Sequence, residues 1–436
     1  MTRHDNHKRT SASDVAMQDE QPAPFVGVNN GFREDVLMSV TKKMVLATSL
    51  SALSLGAMLT LSACNKPTKT ESAATATAGV TAARADFGKL SDGTAIESVT
   101  LKNTKGITLK LITYGAAMQS LMVPDKAGTP ADIIIGYDTI DGYEKTPNFT
   151  NVTVGRYANR IAGGHFTLDG KQFTTPLNDK TNTLHGGTKG WDKHVWTIKD
   201  VQQGADSASV TFTYTSPDGD EGFPGTVVAE VTYTLNENND VAISYKATTD
   251  KPTVVNMTNH GLYNLGGIPA TRLATDADLK IESDAILPVD KALIPTGKEL
   301  PVKGTPFDFT APALVSDRTK MSDPQITLAN GGIDHNYVIR GGLTTTPKLA
   351  VTLEDKTSGR GMTISTTEPG IQMYTGNFLD GKIVGKGGQS LVKYQAIAFE
   401  AQRYPDSPNH PAFPTTRLDP GQTYTQTTVQ HFYTVK

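Results

Sequence analysis

From Val227 to Leu235 the chain alternates, with Val227, Ala229, Val231, Tyr233 and Leu235 on one face and Glu230, Thr232 and Thr234 on the other. A period of two is that of a strand with one buried side. The polar run Asn236-Glu237-Asn238-Asn239-Asp240 interrupts the pattern, and Val241, Ile243, Tyr245 and Ala247 then resume it. This predicts a hairpin. Further strand-like runs occupy 109–114, 132–137, 209–215, 349–353, 362–367 and 427–435. No series of long amphipathic helices separates them, which weighs against βαβ architectures. Strands in this number need a second layer over their apolar faces, so the expected fold is all-β, a large antiparallel β-sandwich.

Composition agrees. Glycine (40) and proline (24) are abundant across the 436 residues, as in a loop-rich β protein. Charged residues make up 19% and the net charge is −3, so nothing points to a nucleic-acid partner. Cys64 is the sole cysteine, which excludes a disulfide framework within the chain and a cysteine-based zinc site.

The first eighty-odd residues read as addressing. Lys42-Lys43 precede an apolar run from Met44 to Leu61 that is rich in small and hydroxyl residues, and the run ends in Leu61-Ser62-Ala63-Cys64. A positive region followed by an apolar one is the layout of a signal peptide. The ending resembles the lipobox of bacterial lipoproteins, which implies a lipid on Cys64; a transmembrane helix is the competing reading. Residues 38–64 are therefore expected to be a lipoprotein signal, and 1–37, polar and upstream of it, an extension from a mis-assigned start. Residues 65–85 read as a flexible tether and 86–436 as one domain. Asn65 after the cysteine, in place of an aspartate, leans by the enteric sorting pattern toward the outer membrane, on the periplasmic side.

Polar residues with chemical capacity cluster beside glycines in the body. Glu400 closes the apolar run Ala396-Ile397-Ala398-Phe399, before a loop stiffened by Pro405, Pro408, Pro411 and Pro414. Asn159 and Arg160 lie in Gly155-Arg156-Tyr157-Ala158-Asn159-Arg160-Ile161, and His185 in Leu184-His185-Gly186-Gly187. His260 follows Thr258-Asn259, Asp334 follows Gly331-Gly332-Ile333, and Gln372 follows Pro369-Gly370-Ile371. Singly, each has a plain explanation: a solvated strand end, a turn residue, a loop cap or a surface ion pair.

Together, the phrases GRYANRI, LHGG, TNHGLYNL, GGIDHNY, PGIQMYTGNFLDG and FEAQRYPDSPNHPAFP resemble the aldose 1-epimerase (galactose mutarotase) family, in order and at matching spacing, from about residue 95 to the C-terminus. The resemblance implies a β-supersandwich and the interconversion of sugar anomers. It implies Glu400 as general base and His260 as general acid, with His185, Asp334, Arg160, Asn159 and Gln372 binding the sugar. Leu262 stands where relatives often carry an aromatic residue, which leaves one wall of the pocket open to question. Trp191 could stack on a sugar or fill the core.

Anomers interconvert by opening to the free aldehyde and reclosing on the other face. Opening takes a proton from the anomeric hydroxyl and gives one to the ring oxygen, so a carboxylate and an imidazole on opposite sides of the bond suffice, with no metal, nucleotide or covalent intermediate, and an ordinary histidine, titrating near neutrality, suits the acid role. The expected ligand is thus a small aldohexose, with no cofactor. A glycosidase would use two carboxylates, and no second acid stands in a comparable phrase. The alternatives are a non-catalytic sugar-binding lipoprotein on the same fold, and a hexose-6-phosphate mutarotase, for which no added basic cluster is evident.

Overall fold

The structure is a computed structural model that describes residues 79–146 and 148–435. The signal segment 38–64 with Cys64, the extension 1–37 and most of the tether lie outside the described residues. No helix among those described is long and apolar enough to cross a membrane.

The predicted hairpin forms from Val227–Asn236 and Asp240–Thr249, antiparallel, with Val231 facing Tyr245. Its apolar set is wholly buried, from Val227 to Ala247. It sits within a nine-stranded sheet that runs Thr197–Gln203, Ser207–Ser216, Val227–Asn236, Asp240–Thr249, Tyr424–Thr434, Arg360–Thr366, Lys348–Asp355, Asp278–Ile281 and Ala313–Leu314. An eleven-stranded antiparallel sheet forms the other layer, and its inner strands are Pro130–Ile134, Leu262–Ile268, Ile397–Gln402, Gly370–Tyr374 and Asp334–Ile339. One continuous core joins the layers: Val210, Phe212, Tyr233 and Ile243 from the first, Leu109, Met118, Ile371 and Phe399 from the second. The helices are short, the longest α-helix described being Ile140–Lys145. This is the expected large antiparallel sandwich.

One boundary moves. The tether was expected to reach residue 85, but Thr81–Lys89 is a strand at the edge of the larger sheet, paired with Ala95–Lys102. Most of its side chains are exposed. It is held by main-chain hydrogen bonds and shows no apolar alternation, so the signal that identified the other strands was missing here.

Candidate active site

Three neighbouring strands of the larger sheet lay out the floor. Gln372 faces Glu400 across the pair Gly370–Tyr374 and Ile397–Gln402. On the opposite side Leu262 faces Ala398, and the same register carried past the strand end sets His260 opposite Glu400. Asp334 begins the next strand, where Asn336 faces Gln372. Alternation does the rest: Ile371, Met373, Phe399 and Ala401 turn into the sandwich core, so Gln372 and Glu400 look out of the other face. His260 Nε2 lies 3.6 Å from Glu400 Oε1. The turn carrying His260 is pinned by Asn151, whose amide donates to the His260 carbonyl and whose Oδ1 accepts from Leu262 N.

A second group arrives from a two-stranded ribbon in which Arg160 faces Leu184. Just beyond that pair, His185 N donates to the Asn159 carbonyl at 3.0 Å, and Asn159 N donates back to His185 Nδ1 at 3.1 Å. Asn159 (φ 64°) and His185 (φ 51°) both hold left-handed backbone conformations, a cost most often met at functional sites. The two glycine-bearing phrases are explained together here. Gly186 has φ +88°, and a Cβ on it would stand 2.1 Å from the Gly155 carbonyl oxygen, so the backbones pack directly against each other.

These elements close around a cavity of about 410 Å³ whose wall includes Asn159, Arg160, His185, His260, Asp334 and Glu400. That volume is in the range of small-molecule sites. Gln372, expected to touch the sugar, is buried between the Glu400 and Asp334 strands, and its Oε1 accepts from no described residue. Its Nε2 donates to Asp334 Oδ1 at 2.7 Å from the neighbouring strand. Trp191 belongs to the core, 1% exposed and edge-on to Trp196 at 5.9 Å. Leu262 does form part of the wall, and aromatic surface comes from elsewhere: Phe149, edge-on to His185 at 4.6 Å, with Tyr374 and Phe378. Neither Phe149 nor Asp179, which accepts from Arg160 Nε at 2.8 Å, was marked by the sequence reading. Phe149 sits in a loop without periodicity, and Asp179 in Asn178-Asp179-Lys180 reads as turn chemistry.

Burial governs the charges. Glu400 is pushed well above the usual carboxylate range by desolvation, with the nearby Asp334 adding to the rise and Arg160 opposing it. Asp334 is also raised by burial, which Arg160 and the Gln372 bond counter in part. His260 is pulled down to about 4 by burial. His185 falls well below its ordinary value, through burial first and then the neighbouring His260, Arg160 and Lys193. The expectation of an ordinary near-neutral histidine at position 260 therefore does not hold. The unbound Glu400–His260 pair favours one proton, carried on the carboxyl. Glu400 Oε2 is buried and accepts no hydrogen bond from any described residue, so it is open to a hydroxyl donor.

His185, His260 and Glu400 also bring metal-ligand atoms within 4.8 Å of one another. The hydrogen bonding of His185 argues against its being a ligand. Its Nδ1 accepts the Asn159 amide, which assigns the ring hydrogen to Nε2 and makes that nitrogen a donor.

A paired carboxyl and imidazole at the floor of a polar cavity, ringed by hydrogen-bonding side chains on a two-sheet sandwich, defines an acid–base site for a small polyhydroxylated ligand. Comparison with known proteins places it among relatives. The aldose 1-epimerase family model matches residues 97–431, and the chain belongs to that family. It is 38% identical to galactose mutarotase of Rattus norvegicus over 350 residues, 80% of this chain and 98% of that one. It is 35% identical to aldose 1-epimerase of Escherichia coli (strain K12) over 343 residues, 78% and 96% of the respective chains. Among solved structures, galactose 1-epimerase from Lactobacillus acidophilus NCFM superposes with a TM-score of 0.72 at 28% identity, covering 82% of this chain and all of that one. An aldose epimerase homologue from C. elegans gives 0.68 at 33% identity, covering 76% and 97%.

Proposed function

We propose that the protein is an aldose 1-epimerase that interconverts the α and β anomers of free aldohexoses such as galactose and glucose, with Glu400 as base and His260 as acid. The observation that carries this reading is the 3.6 Å approach of His260 Nε2 to Glu400 Oε1 inside the cavity. The sequence alone leads one to expect the two groups on opposite sides of the scissile bond. They stand side by side, which suits the chemistry equally, because the anomeric hydroxyl and the ring oxygen are bonded to the same carbon.

Glu400 takes the hydroxyl proton from O1 as His260 delivers one to O5, and the C1–O5 bond breaks to give the aldehyde. The pair is then a neutral carboxylic acid and a neutral imidazole, the form that burial favours. Rotation about C1–C2 offers the other carbonyl face. His260 recovers its proton from O5, Glu400 returns one to O1, and the ring closes as the other anomer. No proton is exchanged with solvent over the cycle. Both working forms carry one proton on the pair, so its transfer between Glu400 and His260 arms the free site. His185 Nε2–H, the Arg160 guanidinium, Asp334, Asn159 and Gln372 supply donors and acceptors for the ring hydroxyls, and Gln372 also holds Asp334.

Polarimetry on freshly dissolved α-D-galactose and α-D-glucose tests the reading. The decay of optical rotation accelerates with enzyme concentration; decay at the buffer rate, with sugar still bound, would make the protein a binding module instead. Galactose 6-phosphate in the same assay distinguishes the phosphosugar alternative, which requires it to be the faster substrate.

The placement is part of the same reading: a lipid on Cys64 holds the domain at the periplasmic side of the envelope, on the outer membrane. Its support is the sequence Lys42-Lys43, the apolar run and Leu61-Ser62-Ala63-Cys64. Cys64→Ser is expected to move the protein from the membrane fraction to the soluble one. Retention of the variant on membranes would favour a spanning helix.

A further inference from the structure

Among the described residues, Arg160 has two carboxylates within reach and hydrogen-bonds one of them. Its Nε donates to Asp179 Oδ2 at 2.8 Å, whereas its Nη1 stops 4.0 Å from Asp334 Oδ2, beyond hydrogen-bonding distance. Neither terminal nitrogen donates to a described residue, and the side chain is 9% exposed. A buried guanidinium beside an equally buried carboxylate would be expected to close on it in a two-point pair. Something prevents that closure, and Asp179 is the group placed to do so.

Asp179 is itself presented rigidly. Its amide donates to the Asn182 carbonyl at 3.0 Å and its carbonyl accepts from Asn182 N at 2.9 Å, a tight turn. Next to it, Asn178 Oδ1 accepts from Leu184 N, and Asn178 Nδ2 donates to the Leu184 and Gly187 carbonyls, tying the turn to the strand that delivers His185. Asn182 Nδ2 fastens the far side to the Ala292 carbonyl. The carboxylate thus comes from a braced element, a quarter exposed at the cavity wall.

We propose that Asp179 is a positioning residue for sugar binding: by anchoring Arg160 through Nε, it holds the guanidinium short of Asp334 so that both terminal nitrogens and the Asp334 oxygen remain available to the sugar. Without the anchor, Arg160 swings to Asp334, and each incoming sugar must break that ion pair before its hydroxyls find partners. Asp179 takes no proton and touches no reacting atom. Its loss therefore weakens binding while leaving the chemical step nearly intact.

This inference rests on the mutarotase reading, so the experiment measures affinity as well as turnover. Galactose binding by isothermal titration and mutarotation by polarimetry are compared for wild type, Asp179→Asn, Asp179→Glu, and Asp179→Asn in an Arg160→Lys background, which lacks the Nε donor. Asp179→Asn is expected to raise KM and Kd about tenfold with kcat within about threefold, and Asp179→Glu to recover most of the affinity. In the Arg160→Lys background the same change is expected to cost less than about twofold, because the Nε donor that Asp179 anchors is gone. A rise below about threefold in the single variant, a loss in kcat alone, or a full effect persisting without Arg160 overturns the assignment. A wild type that binds galactose without turning it over defeats the catalytic reading and leaves the affinity comparison to decide Asp179; one that binds none defeats both.

Discussion

Glu400→Gln is expected to lower mutarotation of galactose by roughly 10²–10⁴-fold, the range that positioned proton transfer supplies, while sugar affinity changes little. The amide matches the carboxylate in shape and keeps an oxygen to accept a hydroxyl hydrogen, but it cannot carry the proton away. Folding is not expected to suffer. Glu400 is 2% exposed with its Oε2 unpartnered, so as a carboxylate it contributes a desolvation penalty rather than a bond. The sign follows from its raised pKa. The neutral buried carboxyl costs nothing below the unfolded-state value, the cost grows as pH rises from that value to the raised folded-state one, and it is complete above it, so the variant should match or exceed the parent in thermal unfolding at alkaline pH. Polarimetry, isothermal titration and a melting curve on one preparation read all three. A variant that keeps more than about a tenth of the parent rate removes Glu400 from the base role.

Much of the architecture was legible in period-two patterning, and the reason is visible in the hairpin 227–249. A strand with one wet face writes its burial into alternate positions. Thr81–Lys89 writes nothing there, since its side chains are mostly exposed. Pairing partners far apart in sequence were equally hidden: Asp240–Thr249 lies beside Tyr424–Thr434, and no local rule selects that neighbour. At the site, the resemblance supplied the residues and the register supplied their geometry. That His260 falls across from Glu400, and Gln372 on its other side, follows from strand pairings that only the folded chain reveals. Trp191 shows the converse limit. An indole in a functional phrase has the right chemistry whether it faces the ligand or fills the core. Asp179 went unmarked because an aspartate in a turn needs no function to explain it.

His260→Gln is expected to cost a similar 10²–10⁴-fold, and the two losses should not multiply. Base and acid act in one proton relay, so once either is gone the other has no matched step to assist, and the double variant should be about as slow as the worse single one. Multiplicative losses would mean that the two groups act in separate steps. The pH dependence of kcat/KM carries the same logic. Activity requires one proton on the pair. As pH falls toward 4, His260 gains a proton while Glu400 keeps its own, no base remains, and the rate drops. As pH rises past the elevated Glu400 value, the pair loses its single proton, no acid remains, and the rate drops again. The acid limb should therefore lie near 4, well below the 6.5 of an unburied histidine, and His260→Gln should erase it. An acid limb near 6.5 that survives in His260→Gln would assign the titration to another group and leave His260 without the acid role.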